Sequence, residues 1–195
     1  MKIIVQKYGG TSVNKPALRK KIIENALKAK EEGFSPVLVV SAMGRKGEAY
    51  ATDSLLALLP DSAEADRRTK DFLITCGENI TCAVLAEEMR AQGIRAYALN
   101  GIQAGIQTNG VYGNSDIIDI DTAQLRSLIE EGIIPVVAGF QGRGNGDDIV
   151  TLGRGGSDIT ATALGCYLKA DSVELYTDVA GIMTADPRVV EACRM

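Results

Sequence analysis

The 195-residue chain is 46% hydrophobic and 24% charged, with 21 glycines, a net charge of −4 and no histidine. That profile fits one α/β domain with many tight loops and offers no basic block for a nucleic-acid partner. The missing histidine excludes a Ser-His-Asp triad, a Cys-His pair and any histidine-ligated metal.

No apolar run approaches the ~20 residues of a membrane span, and Met1 to Lys7 is too short and polar for a signal peptide, so a cytoplasmic location is expected. Cysteines stand at 76, 82, 166 and 193 with no Cys-x-x-Cys pair. Cys82 and Cys166 fall in small-residue helical runs and are expected to be buried thiols.

Lys2 to Lys7 reads as a buried strand and Tyr8 to Val13 as the loop after it. Leu18, Ile22, Ala26 and Ala29 predict a helix from about Lys15 to Glu32, ended by Gly33. Pro36 to Ala42 is a second strand. A strand–loop–helix–strand unit implies a right-handed crossover and a parallel sheet, whose ligands bind at the carboxyl ends of its strands. That rule points at Lys7, Gly9, Gly10 and Ser41, although Lys7 alone reads equally well as a solvated strand-end lysine.

Met43 to Thr52 is a flexible loop, and Thr52-Asp53 is expected to cap a short helix through Leu59. Residues 63–91 read as helical with a break near Cys76-Gly77-Glu78-Asn79, where Gly77 interrupts the first helix and Glu78 opens a second. Arg95 to Leu99 is a third strand, and the glycine-rich stretch from Asn100 to Asp121 suggests a hairpin or flap. A helix from Thr122 to Glu131 and a fourth strand, Ile133 to Phe140, lead into a turn-rich arm, Gln141 to Asp148. Ser172 to Tyr176 is a fifth strand, ending at Thr177-Asp178, and Gly181 to Arg188 reads as a structured loop. The expected fold is a three-layer αβα sandwich, with helices on both faces of a mainly parallel sheet.

The chemistry concentrates in Gly153-Arg154-Gly155-Gly156-Ser157-Asp158, just before a helical run. The glycines let backbone approach a ligand, and Ser157 or Asp158 can cap the helix. The helix N-terminus attracts an anion, and Arg154 grips a carboxylate or phosphate through two hydrogen bonds. With Lys7, Thr177, Asp178 and Arg188, the set suits a polyphosphate with its magnesium ion and a small anionic second ligand. Neither Gly-x-x-x-x-Gly-Lys-Ser/Thr nor a Gly-x-Gly-x-x-Gly after the first strand occurs. A carboxylate acceptor, with a pKa of about 3.9, is already ionised at neutral pH and needs no histidine base.

Lys7-Tyr8-Gly9-Gly10-Thr11-Ser12-Val13, Ser41-Ala42-Met43-Gly44, Thr52-Asp53, Cys76-Gly77-Glu78, Gly139-Phe140-Gln141-Gly142, Gly153 to Asp158 and Thr177 to Arg188 resemble aspartokinase. They follow that family's order, within the amino-acid-kinase superfamily, across the whole chain. The loop from Ala42 to Leu55 is most similar to the diaminopimelate-sensitive enzymes of Gram-positive bacteria.

The resemblance implies ATP- and Mg2+-dependent phosphorylation of the side-chain carboxylate of L-aspartate to 4-phospho-L-aspartate. That is the first step toward lysine, diaminopimelate, threonine and methionine. It implies Lys7 and Asp158 as catalytic residues, and Ser41, Thr52, Glu78 and Arg154 as the aspartate site. Lys7, Tyr8, Gly9, Gly10, Ser157, Thr177, Asp178, Met183, Asp186 and Arg188 would serve the nucleotide, and no residue is implied as a metal ligand. Met183 stands where many relatives carry a tyrosine beside the nucleotide. Family members continue past the position of Met195, so residues 1–195 are expected to be a truncated catalytic domain, its sheet incomplete at the C-terminus and without a regulatory ACT domain. A homodimer is the family's expectation. The alternatives are a fragment that binds nucleotide or amino acid without turnover, a relative acting on another acid such as glutamate, and a nicotinamide dehydrogenase sharing the sheet type.

Overall fold

The computed structural model describes residues 1–60 and 66–177. In chain order its elements are β1 (Lys2–Tyr8), α1 (Gly10–Val13), α2 (Pro16–Glu31), β2 (Phe34–Val40), α3 (Thr52–Leu56) and α4 (Arg67–Arg90). They continue with β3 (Ala96–Leu99), β4 (Ile106–Thr108), β5 (Ile117–Ile120), α5 (Ala123–Glu130) and β6 (Ile134–Ala138). The last are β7 (Gln141–Arg143), β8 (Ile149–Thr151), α6 (Gly156–Leu168) and β9 (Ser172–Tyr176).

The near-continuous apolar runs of β1, β2 and β6 have one physical solution, a sheet covered on both faces. Five strands pair in the order β3-β6-β2-β1-β9, every pair parallel. Side-chain alternation then sorts β2 between two cores. Leu38 and Val40 join Ile22, Ile23 and Ala26 of α2 and Cys82, Leu85 and Met89 of α4 on one face. Val37 and Val39 join Leu125 and Ile129 of α5 and Ala161, Leu164 and Leu168 of α6 on the other. Burying each large side chain contributes about 1.5–3 kcal/mol. The expected αβα layering is what the described residues form. Among them, no helix is long and apolar enough to cross a membrane.

Several local expectations are corrected. Helix α4 runs unbroken through Cys76-Gly77-Glu78-Asn79. Gly77 serves close packing: a Cβ there would sit 2.7 Å from Ala42 Cβ and 2.9 Å from the Tyr50 carbonyl oxygen. Glu78 is therefore a mid-helix residue, and the cap of α4 is Asp66, which accepts the Thr69 N–H at 2.9 Å. Thr52-Asp53 does not cap α3, whose N-cap is Ala51 without a side-chain bond. Gly10–Val13 forms a short helix where a loop is expected.

The two glycine-rich arms form a second sheet, β5-β4-β7-β8. Two antiparallel hairpins are joined there through one parallel pair, Gln107 with Arg143. Cys82 is buried as expected, its Sγ donating to the Val136 carbonyl at 2.7 Å, and burial pushes its thiol pKa up to about 12. Cys166 is exposed, because its position on α6 faces away from the core that Ala161, Leu164 and Leu168 enter. Cys193 lies outside the described residues.

Candidate active site

Where β1 and β2 end, a cavity of about 590 Å3 opens between the sheet, α4 and the start of α6. It collects Lys7, Gly10, Ser41, Thr52, Glu78, Arg154, Ser157 and Asp158, eight residues singled out by the sequence.

Lys7 is the penultimate residue of β1, and its Nζ lies 2.7 Å from Asp158 Oδ1 in the first turn of α6. Its side chain is 12% exposed and that of Asp158 48%. The solvated strand-end lysine is thereby set aside: the ammonium is held inside the cavity by an ion pair across the sheet's end. Gly10 lets α1 start against the loop after β2. A Cβ there would lie 2.6 Å from the Ala42 carbonyl oxygen and 2.7 Å from that of Gly44. Gly9 precedes it beside the lysine, where a Cβ would stand 3.7 Å from Lys7 Nζ.

Glu78 reaches the cavity from the middle of α4 and is 3% exposed. Its Oε1 accepts the Ala42 N–H at 3.0 Å, while its buried Oε2 has no partner among the described residues. Burial raises its pKa from the ordinary 4.5 to about 7, against the lowering effect of the Ala42 N–H. Between those values the folded chain binds more protons at this group than the unfolded chain, so its contribution makes stability fall as pH rises. The span is worth roughly 3 kcal/mol. Urea unfolding at pH 4.5 and pH 8 is expected to show Glu78→Gln more stable than the parent at the higher pH and close to it at the lower. An equal offset at both pH values would contradict the assignment.

The opposite wall is the loop before α6. Gly153 and Gly155 adopt φ of 73° and 71°, and Gly155, rather than Ser157 or Asp158, is the N-cap of α6. Side-chain capping is unnecessary because the left-handed glycine itself turns the chain into the helix. Phe140, also on the cavity wall, holds φ of 68°, a costly conformation for a non-glycine residue. It is fixed by its N–H donating to Thr160 Oγ1 at 3.1 Å and its carbonyl accepting the Leu152 N–H at 2.9 Å. Arg154 is exposed at the cavity's rim and has no hydrogen-bond or ion-pair partner among the described residues.

Other sequence-predicted residues lie elsewhere. Tyr8 is buried and its ring stacks on Tyr176 with centroids 4.6 Å apart. With Thr177 it lines a separate cleft of about 330 Å3 against α2. Asp178, Met183, Asp186 and Arg188 lie outside the described residues. The sequence reading missed Lys70, Asp71 and Thr151, all on the cavity wall. An unbroken helix puts Lys70, Asp71, Ile74 and Glu78 on one face, so the assumed break at Gly77 hid the signal. Among the described residues no three His, Cys, Asp or Glu side chains gather as a metal site.

The model of the amino acid kinase family matches residues 2–195. The chain belongs to the amino acid kinase family. Curated relatives of the chain include aspartokinase 1 of Bacillus subtilis, 48% identical over 192 residues, which cover 98% of this chain and 48% of the relative. The aspartokinase of Mycolicibacterium smegmatis is 44% identical over 196 residues, covering 100% of this chain and 45% of its own length. The chain spans about half the length of the curated relatives it matches.

Among solved structures, aspartate kinase from Synechocystis is 39% identical with a TM-score of 0.76, covering 98% of this chain and 31% of that one. Aspartokinase III of E. coli, in complex with aspartate and ADP, is 25% identical with a TM-score of 0.80, covering 99% and 53%. Isopentenyl phosphate kinase, 20% identical with a TM-score of 0.72, shares the fold alone.

Proposed function

We propose that this amino acid kinase provides the aspartate-binding and phosphoryl-transfer side of an aspartokinase site, where the γ-phosphoryl group of ATP passes to the side-chain carboxylate of L-aspartate. The observation that carries the proposal is the buried Glu78 carboxylate, with one unpartnered oxygen, inside a cavity whose other wall holds Arg154 and the Lys7–Asp158 pair. A buried acceptor with no donor calls for a cationic or hydrogen-bonding ligand, and a rim guanidinium calls for a carboxylate. An α-amino acid presents both groups.

In this reading Arg154 takes the α-carboxylate, and Glu78 takes the ammonium with Asp158. Ser41 and Thr52 line the side on which the reacting carboxylate lies. A carboxylate oxygen attacks the γ-phosphorus as the bond to the ADP oxygen breaks, giving an acyl phosphate and ADP with no proton to remove. Lys7 neutralises charge developing on the transferring group, and its bond to Asp158 keeps the ammonium at that place before substrate arrives. Backbone donors at Gly9 and Gly10 and the α6 terminus at Ser157 suit phosphate oxygens.

The reading extends to Tyr8, Thr177, Asp178, Met183, Asp186 and Arg188 on the nucleotide side. Magnesium enters as a companion of the nucleotide's phosphates, shielding their charge when bound. The described cavity carboxylates do not cluster to hold it unaided. The B. subtilis relative and the E. coli complex support aspartate and an adenine nucleotide as the substrates. Trapping of the acyl phosphate by hydroxylamine, with L-glutamate as the competing acid, tests the proposal.

A further inference from the structure

We propose that Asp71 is a positioning residue that sets the path of the Arg154 loop, and so governs affinity for the amino-acid substrate without itself binding it. The proposal rests on the reading of Arg154 as the carboxylate-binding residue.

Asp71 lies near the start of α4 and is 1% exposed. Its Oδ2 accepts two backbone N–H groups, from Gly113 and Thr151, each at 2.9 Å. Its Oδ1 accepts the Thr151 hydroxyl at 2.9 Å. One side chain therefore ties α4 to the tip of the β4–β5 hairpin and to the last residue of β8. Those two segments also bond each other, the Ser115 N–H donating to the Thr151 carbonyl at 2.8 Å.

Arg154 follows three residues after Thr151. Between them Gly153, at φ of 73°, packs against Asn114 so closely that a Cβ would collide with the Asn114 side-chain oxygen. The backbone leading to Arg154 is thus fixed at Thr151 by Asp71 and at Gly153 by the residue after Gly113. Without Asp71, the buried Thr151 N–H and the part-buried Gly113 N–H lose their acceptor, and water or an altered loop path must supply another.

Three neutral donors occupy the carboxylate, which leaves it poorly placed to be a ligand group. Asparagine can replace it in this role: its oxygen accepts both N–H groups while its amide donates to Thr151 Oγ1. A direct charge contact with substrate would have no such substitute.

The test uses the 195-residue chain, with calorimetric binding of L-aspartate and of MgATP, and amide exchange followed segment by segment. Asp71→Ala is expected to weaken L-aspartate binding about tenfold or more while MgATP binding stays within about twofold. Exchange in residues 151–156 should quicken about tenfold, with α2 unaffected. Asp71→Asn should bind L-aspartate within about threefold of the parent.

Unchanged L-aspartate affinity in Asp71→Ala, or equal loss of both ligands, would overturn the proposal. So would an Asn variant as impaired as the Ala variant, because charge would then be the required property. If Asp71→Ala does not fold, Thr151→Val deletes only the hydroxyl bond and is expected to weaken L-aspartate about threefold, with no loss overturning the claim. If the parent itself binds no L-aspartate, the substrate reading fails separately. The exchange comparison, in Asp71→Ala or in Thr151→Val, then decides whether Asp71 holds the loop, and unchanged exchange overturns it.

Discussion

Replacing Lys7 with alanine is expected to slow phosphoryl transfer about 10²–10³-fold, the usual cost of removing a preorganised group that stabilises developing charge. The fold should survive the change. Lys7 sits one residue from the end of β1, and the sheet is held by the apolar residues on either side of it. Its partner Asp158 is half exposed and can be rehydrated once the ammonium is gone. The expected result in single-turnover experiments at saturating L-aspartate and MgATP is therefore a collapsed rate with a near-parental unfolding midpoint. A rate within about threefold of the parent would remove Lys7 from the chemistry.

Arg154→Ala should separate the two substrates. The guanidinium lies exposed at the rim with no partner among the described residues, so its loss costs the fold little. A bidentate, charge-assisted pair with a carboxylate is worth about 1.5–3 kcal/mol, which raises the KM for L-aspartate roughly 10–100-fold. The KM for ATP should stay within about threefold, because the nucleotide is held elsewhere in the proposed site. Unchanged saturation by L-aspartate in this variant would show that the α-carboxylate is bound by another group.

Both variants act on residues that stand out in the sequence, and the reason is local chemistry. A lysine ending an apolar strand, and an arginine between glycines ahead of a helical run, advertise a strand-end site. The central sheet is equally legible, because runs such as Val37-Leu38-Val39-Val40 can be buried on both faces only in a covered parallel sheet.

What escaped depends on partners distant in the chain. Gly77 reads as a helix break until Ala42 and Tyr50 are seen packed against it, when it becomes the residue that admits their close approach. The second sheet is built from strands of three or four residues, too short for alternation to register. Asp71 looks like an ordinary helical aspartate because its bonds go to residues 42 and 80 positions away. The burial of Glu78 follows from the same unbroken helix, and the expected cap at Ser157 or Asp158 gave way to the left-handed Gly155.

The most direct test of the aspartokinase assignment is hydroxylamine trapping of an acyl phosphate, with the chain, MgATP and either L-aspartate or L-glutamate. The proposal predicts hydroxamate with L-aspartate, none above background with L-glutamate, and loss of the L-aspartate signal in Lys7→Ala. Hydroxamate with L-glutamate alone, or none with either acid while ATP is hydrolysed, would contradict it.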